Sequence, residues 1–210
     1  MLRKDIDTFL SSIPQGVTLV AATKYLSGEE MKELLDHNIT NFGENRVDSF
    51  LLKYEELKEH TNIKWHFIGH LQRNKAKQIV NKINYLHSLD SLELAKIIEK
   101  ERKMPLKTFV EVSINLEKSK NGVPYYEVRN FIQEVLQYKN IELVGLMMMA
   151  AKGSLNTEEQ FEKLVSLRDE LEKELNIKLP YLSMGMSDDY LSAIKAGSTH
   201  IRLGRILYIL

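Results

Sequence analysis

The chain has 210 residues, enough to bury one substantial core and near the lower size limit for a complete barrel of eight β/α units. Its 29 Lys plus Arg balance 29 Asp plus Glu, so no global charge draws it to nucleic acid or to an anionic membrane. It contains no cysteine, which excludes disulfides, thiolate catalysis and Cys-based metal sites.

The N-terminal stretch MLRKDIDTFLSSIPQG carries Arg3, Lys4, Asp5 and Asp7 and no long apolar run, unlike a secretory signal. The most apolar stretch, 143–151, is too short to cross a bilayer as a helix. A cytoplasmic protein is the expectation.

Periodicity predicts a helix over 2–12 and a strand over 17–24, VTLVAATK. A helix over 28–38 follows, with Ser27 and Glu30 spaced as a capping box in front of it. Next come a strand over 41–45, a helix over 47–60, a strand over 64–70 and a helix over 74–83. A strand over 85–88 precedes a helix over 91–103 that turns Leu92, Ala95, Ile97 and Ile98 to the core. The second half repeats the alternation, with a strand over 108–114, a helix over 125–138 and a strand over 143–150. A helix over 157–175 opens on Thr157 and Gln160, a strand spans 181–184, a helix over 188–196 is closed by Gly197, and a last strand spans 200–207.

Eight strands separated by helices imply parallel crossovers, and the count favours a closed (β/α)8 TIM-type barrel with an extra N-terminal helix. No composition shift marks a boundary, so residues 1–210 read as a single domain.

In such barrels chemistry collects at the C-terminal ends of the strands, and phosphates often bind after the seventh and eighth. Polar residues at those positions are Lys24, Asn45, His70, Ser88 with Asp90, Ser113 with Asn115, Ser187, and Arg202 with Gly204. Lys24 follows the apolar LVAAT, so its stem is expected to leave the barrel interior, and a desolvated lysine attacks an aldehyde as the free amine. The bland reading of such a lysine is a snorkelling strand-end side chain.

In LSMGMSDD (182–189) a strand gives way to a helix through small residues, so backbone N–H groups and the Ser187 hydroxyl can face an anion. The competing reading makes Ser187 an ordinary N-cap, with Asp188 and Asp189 complementing the dipole and repelling a phosphate unless they point away. On the last strand His200, Arg202 and Gly204 share one face. Arg202 pointing inward needs an acceptor, either a ligand ring nitrogen or carboxylate or a buried group such as Glu111, and Gly204 lets a phosphate approach the backbone.

His66 and His70 would stand roughly 13 Å apart along a strand, too far to share one metal ion directly. The alternating Arg73, Lys75 and Lys77 read as a solvated face, and Tyr125 and Tyr126 as packing residues rather than a nucleic-acid platform.

The segments VAATK (20–24), NFGENRVDSF (41–50), KWHFIGHLQRNKAK (64–77), HSLDS (87–91), SKNG (119–122), VGLMMMA (144–150) and LSMGMSDDYLSAIKAGSTHIRLG (182–204) occur in that order along nearly the whole chain. Together they resemble the pyridoxal phosphate homeostasis protein family, whose barrel is like the N-terminal domain of alanine racemase. The resemblance implies pyridoxal 5'-phosphate as the cofactor, held as a Schiff base on Lys24. It implies that Arg202 meets the pyridine nitrogen, and that Ser187 with the Gly204 and Arg205 amides holds the phosphate. Asn45 lines the pocket near the ring, and Met147 and Met149 on the inward face of the sixth strand pack beside it. Departures are Arg205 where the family has a small residue such as Thr, Asn121 where Ser is common, and Ala150 where many members have Pro.

An arginine partner leaves the ring nitrogen unprotonated and the ring a weak electron sink, which suits a carrier better than transamination or decarboxylation. The alternative is an amino-acid racemase, which needs a second acid/base opposite the lysine. In the racemase that group is a tyrosine of a following domain, whereas this sequence stops six residues past Gly204. The expectation is therefore a monomeric, non-catalytic carrier that hands its cofactor to apo-enzymes. Lys120 is noted as a second aldehyde-reactive candidate.

Overall fold

A computed structural model of the chain describes residues 2–114, 121–150 and 156–208. Asn115 and Lys120, singled out above, lie outside the described residues. The strands are β1 (Thr18–Ala22), β2 (Asn41–Glu44), β3 (Lys64–Phe67), β4 (Tyr85–Leu89), β5 (Leu106–Ser113), β6 (Val123–Pro124), β7 (Ile141–Met147), β8 (Tyr181–Ser183) and β9 (His200–Leu203). The helices are α1 (Ile6–Ser11), α2 (Gly28–Asp36), α3 (Val47–Glu56), α4 (Arg73–Ile79), α5 (Leu92–Glu101), α6 (Val128–Val135), α7 (Thr157–Leu175) and α8 (Tyr190–Lys195).

Eight strands pair in parallel in the order β4-β3-β2-β1-β9-β8-β7-β5, and β5 returns to β4 to close the barrel. The two-residue β6 adds only to the edge of β5. The first and last barrel strands meet through Thr18↔His200, Leu19↔Ile201, Val20↔Arg202 and Ala21↔Leu203. Leu2 bridges Tyr208, so the two chain ends are tied together. The (β/α)8 barrel expected from the alternation is the observed fold.

Strands buried on both faces need apolar residues toward the helices, and Phe42, Phe67, Leu86 and Ile201 supply them against Phe50, Ile79 and Ala193. Ser27 and Glu30 form the capping box predicted for α2, with each side chain bonding the other's backbone N–H. α1 sits across the barrel wall with Phe9 edge-on to Tyr190 at 6.0 Å.

The inward face is unusual in carrying polar rings. His66, Tyr85, His87, Phe109, Tyr181 and His200 pack together inside, with His66 stacked on Tyr85 and His87 on Phe109 at 4.4 Å each. Gly145 makes room for this layer: a Cβ there would collide with the Tyr181 backbone.

Several bounds differ from the periodic reading because polar loops take over where the ladder ends. β1 stops at Ala22 rather than residue 24, β3 at Phe67 rather than 70, and β9 at Leu203, after which Arg205–Leu207 forms a 3-10 turn. α8 starts at Tyr190, not 188, because Asp189 and not Ser187 occupies the N-cap position.

Candidate functional site

The C-terminal ends of β1, β2, β7, β8 and β9 bring the predicted residues to one mouth of the barrel. Lys24 lies two residues past β1, in a turn, on the strand that pairs with both β2 and β9. It is exposed, and its Nζ stands 4.7 Å from the centroid of the Tyr25 ring, itself 78% exposed. The expectation of a desolvated lysine emerging from the interior is corrected here. The strand ends early, and the freed turn lets the ammonium rest on the π-face of its neighbour in solvent. A swing of this long, unpaired side chain is what would take it over the barrel mouth.

Arg202 does point inward, and only 4% of it is exposed. Its Nη1 donates to Ser183 Oγ at 2.6 Å and its Nη2 to the Met148 carbonyl at 2.9 Å. Glu111 is not its hydrogen-bond partner. Burial lowers the guanidinium pKa to about 10, with the charge of Glu111 acting the other way. Burial raises Glu111 to about 7, helped by Asp90 and opposed by Arg202. The site thus holds a carboxyl group poised near neutrality beside a buried cation.

Ser187 and the turn after β9 form the anion-facing element. The Gly204 and Ile206 amides both point at Ser187 Oγ, at 3.4 and 3.5 Å. Bonds this long leave both donors under-satisfied, so an anion would be a better acceptor than the hydroxyl. Both neighbouring carboxylates are already engaged. Asp189 accepts from the Met186 amide at 2.6 Å, and Asp188 is paired with Arg205 on the surface. The side chain of Arg205 is therefore engaged outside rather than standing in for a phosphate-binding hydroxyl. Gly185, at φ +97°, shapes this loop, and a Cβ there would come within 2.6 Å of the Ala193 Cβ.

Asn45 closes the β2 side. Its Oδ1 is buried without a hydrogen-bond partner, and a Cβ on Gly69 would come within 2.7 Å of its Cα, so its backbone is wedged in place. Met147 is fully buried against Phe109 and Val144, while Met149, beyond the end of β7, is 47% exposed at the rim. His66 faces the interior and His70 sits in the loop, where its Nδ1 is 2.9 Å from Asp90 Oδ2. Among the described residues no group of three His, Asp or Glu side chains is arranged to hold a metal ion.

Residue-by-residue reading missed a buried network beneath Lys24. Lys53 Nζ donates to Glu44 Oε1 and to the Thr23 carbonyl, both at 2.6 Å. Thr23 Oγ1 donates to Glu44 Oε1 at 2.5 Å, and Ser49 Oγ to Glu44 Oε2 at 3.2 Å. The signal was present: Glu44 shares with Phe42 the strand face that packs on helices, and Lys53 repeats the buried three-residue spacing of Val47 and Phe50.

The family model described as alanine racemase, N-terminal domain, matches residues 2–210. A pyridoxal phosphate homeostasis protein of Aquifex aeolicus is 37% identical over 195 residues, spanning 90% of this chain and 85% of the relative. The chain belongs to the pyridoxal phosphate homeostasis protein family. The human member is 35% identical over 206 residues, spanning 90% of this chain and 75% of its own. Among solved structures, PipY of Synechococcus elongatus with pyridoxal phosphate bound matches with a TM-score of 0.89 at 28% identity. That match covers 97% of this chain and all of PipY. Alanine racemase of Clostridium difficile shares the fold, with a TM-score of 0.78 at 16% identity, and this chain covers 57% of it. Pyridoxal phosphate is the molecule bound in that PipY structure and the one for which the relatives are named.

The residues at the mouth fit such a group. The under-satisfied Gly204 and Ile206 amides and the Arg202 N–H groups beyond the two already bonded are donors that a phosphate and a ring nitrogen would accept from, and the unpartnered Asn45 Oδ1 is an acceptor for a ring hydroxyl. A Cβ at Gly204 would meet Ala22 only at an ordinary 3.5 Å, leaving that space open to a ligand.

Proposed function

We propose that the protein is a carrier and buffer of pyridoxal phosphate, holding it as a Schiff base on Lys24 and releasing it to apo-enzymes without turnover of its own. The observation that carries this is the convergence on one barrel mouth of an exposed amine, a buried arginine and an under-satisfied amide pair around Ser187. Bound there, the cofactor would supply an aldehyde. Lys24 would hold it there through its side-chain amine. Arg202 orients the ring through its nitrogen, Ser187 with the Gly204 and Ile206 amides holds the phosphate, and Asn45, Met147 and Met149 line the ring.

Arg202 also favours carrying over chemistry. A guanidinium partner donates to the ring nitrogen without giving up a proton, so the ring withdraws electrons weakly. Carrier proteins benefit too from a lysine that rests in solvent between loadings, because an exposed amine is accessible to incoming and outgoing aldehyde. The protein is proposed to act as a monomer in the cytoplasm. No helix among the described residues is long and apolar enough to cross a membrane.

Borohydride reduction of the loaded protein followed by peptide mapping should place a pyridoxyl group on Lys24, and Lys24→Ala should abolish it. A saturated protein with no adduct at Lys24 would sink the assignment. Incubation with L-alanine in deuterated water should show no fast α-proton exchange. Rapid exchange that disappears in Lys24→Ala would replace the carrier with a racemase-like enzyme, and would point to Glu111 as the first acid/base group to test.

A further inference from the structure

Beneath Arg202 the interior holds a line of polar side chains that cofactor contact alone does not explain. Ser183 on β8 receives the Arg202 Nη1 at 2.6 Å. Its Oγ lies 2.8 Å from His87 Nδ1 on β4. His87 Nε2 lies 2.9 Å from His66 Nδ1 on β3, and His66 Nε2 lies 3.1 Å from Asn41 Oδ1 on β2. His66, His87, Ser183 and Arg202 are all buried, so the three bonds that join them are shielded from bulk water, while Asn41 at the far end is half-buried.

Elementary bonding chemistry sets the direction of this line. A guanidinium can only donate, so Ser183 Oγ must accept from Arg202. The hydroxyl proton then has one acceptor among its partners, His87 Nδ1. His87 is thereby the Nε2–H tautomer and donates to His66 Nδ1, and His66 in turn donates from Nε2 to Asn41 Oδ1. Every donor finds an acceptor. Run the other way, His87 and Arg202 would both donate to Ser183, and its own proton would be stranded in the core at the cost of an unmade buried hydrogen bond.

We propose that Asn41, His66, His87 and Ser183 form a single one-directional hydrogen-bond chain that positions Arg202 against the ring nitrogen of pyridoxal phosphate, an inference that rests on the cofactor reading above. Four strands of the barrel are thus recruited to aim one guanidinium. The surroundings keep the chain neutral. His66 is stacked on Tyr85 and also feels His200 and Lys64, while His87 is stacked on Phe109 and feels His66, His200 and Arg202. Burial is the largest cause holding both imidazoles well below their usual range, and the neighbouring groups, Lys64 beside His66 and Arg202 beside His87 among them, act in the same direction. Glu111, across the pocket on β5, is the acidic group that acts on Arg202 most strongly. His200 stands aside from the chain, its Nδ1 3.0 Å from Thr199 Oγ1.

Two measurements test this. Nitrogen-15 NMR of the cofactor-free protein at pH 7 should show His66 and His87 as neutral Nε2–H tautomers. Either ring found as the Nδ1–H tautomer or protonated overturns the chain. Second, Ser183→Ala should weaken pyridoxal phosphate binding by about tenfold or more and shift the absorbance of the bound cofactor, while Ser183→Thr, which keeps the hydroxyl, stays near the parent. Parent-like affinity and spectrum in Ser183→Ala would also overturn it. Should Ser183→Ala not fold, the tautomers and Ser183→Thr decide. Failure of the cofactor reading looks different: the parent itself would bind no pyridoxal phosphate, with the tautomers unchanged.

Discussion

Replacing Lys53 with methionine is expected to destabilise the protein by about 3–5 kcal/mol, the scale for removing one partner of a buried ion pair. Glu44 has no exposure, and among the described residues Lys53 is the cation paired with it, at 2.6 Å. Without that ammonium the carboxylate keeps two hydroxyl donors, Thr23 and Ser49, which do not offset a buried charge. The damage also reaches the cofactor site. Lys53 anchors the Thr23 carbonyl, so its loss frees the segment that ends β1 and presents Lys24. Cofactor affinity should fall alongside stability. Removing both charges, in a Lys53→Met/Glu44→Leu pair, should recover most of the stability, since a matched apolar pair often equals a buried ion pair. Urea unfolding of the two variants checks this. A single variant that loses under about 1 kcal/mol, or a double variant no better than the single, would show that the network is not what secures this end of the barrel.

The barrel itself was legible because each layer repeats one local rule: apolar strands buried on two faces, helices with one apolar stripe, and short polar connections. The capping box at Ser27 and Glu30 was legible for the same reason, since both halves of the device lie within four residues. What was not legible depends on groups far apart in the chain. The acceptors for Arg202 are Ser183 and the Met148 carbonyl and not Glu111, a choice made by how the strands stagger and not by any spacing. The orientation of Asp188 is set by Arg205, seventeen residues along the chain, which holds it outside. Strand order places Lys24 at the C-terminal rim, but its exposure follows from a ladder that ends at Ala22, and alternation does not foretell where a ladder stops. The three interior histidines read as isolated letters in WHFIGH, HSLDS and THIRLG, and only closure of the sheet brings them to ring contact.

Those histidines give the protein an expected pH profile: folding stability should be greatest near neutrality and fall as the pH is lowered toward 5. Burial, then the charge of Arg202, holds His200 at about 4 in the folded state. An unfolded histidine titrates near 6.5, so on acidification the unfolded chain takes up the proton first and is favoured by it. The stability that His200 contributes is intact above about pH 6.5 and is lost as the pH falls toward about 4, a loss of about 3 kcal/mol from this residue alone. His66 and His87 are shifted in the same direction by burial and add to it. Glu111 works in the opposite sense. Its folded value of about 7 lies above the ordinary 4.5, so it favours the fold at low pH and gives that up as the pH rises through 7. One carboxyl group of similar magnitude offsets one histidine and leaves two, so the acid side is the weaker one. Unfolding free energies measured at pH 5, 6, 7 and 8 should therefore drop from pH 7 to pH 5. The drop should become steeper in Glu111→Gln, and that variant should exceed the parent in stability at pH 8. A parent protein that grows steadily more stable from pH 8 down to pH 5 would mean that the interior histidines take up protons in the fold, and the neutral chain beneath Arg202 would fall with them.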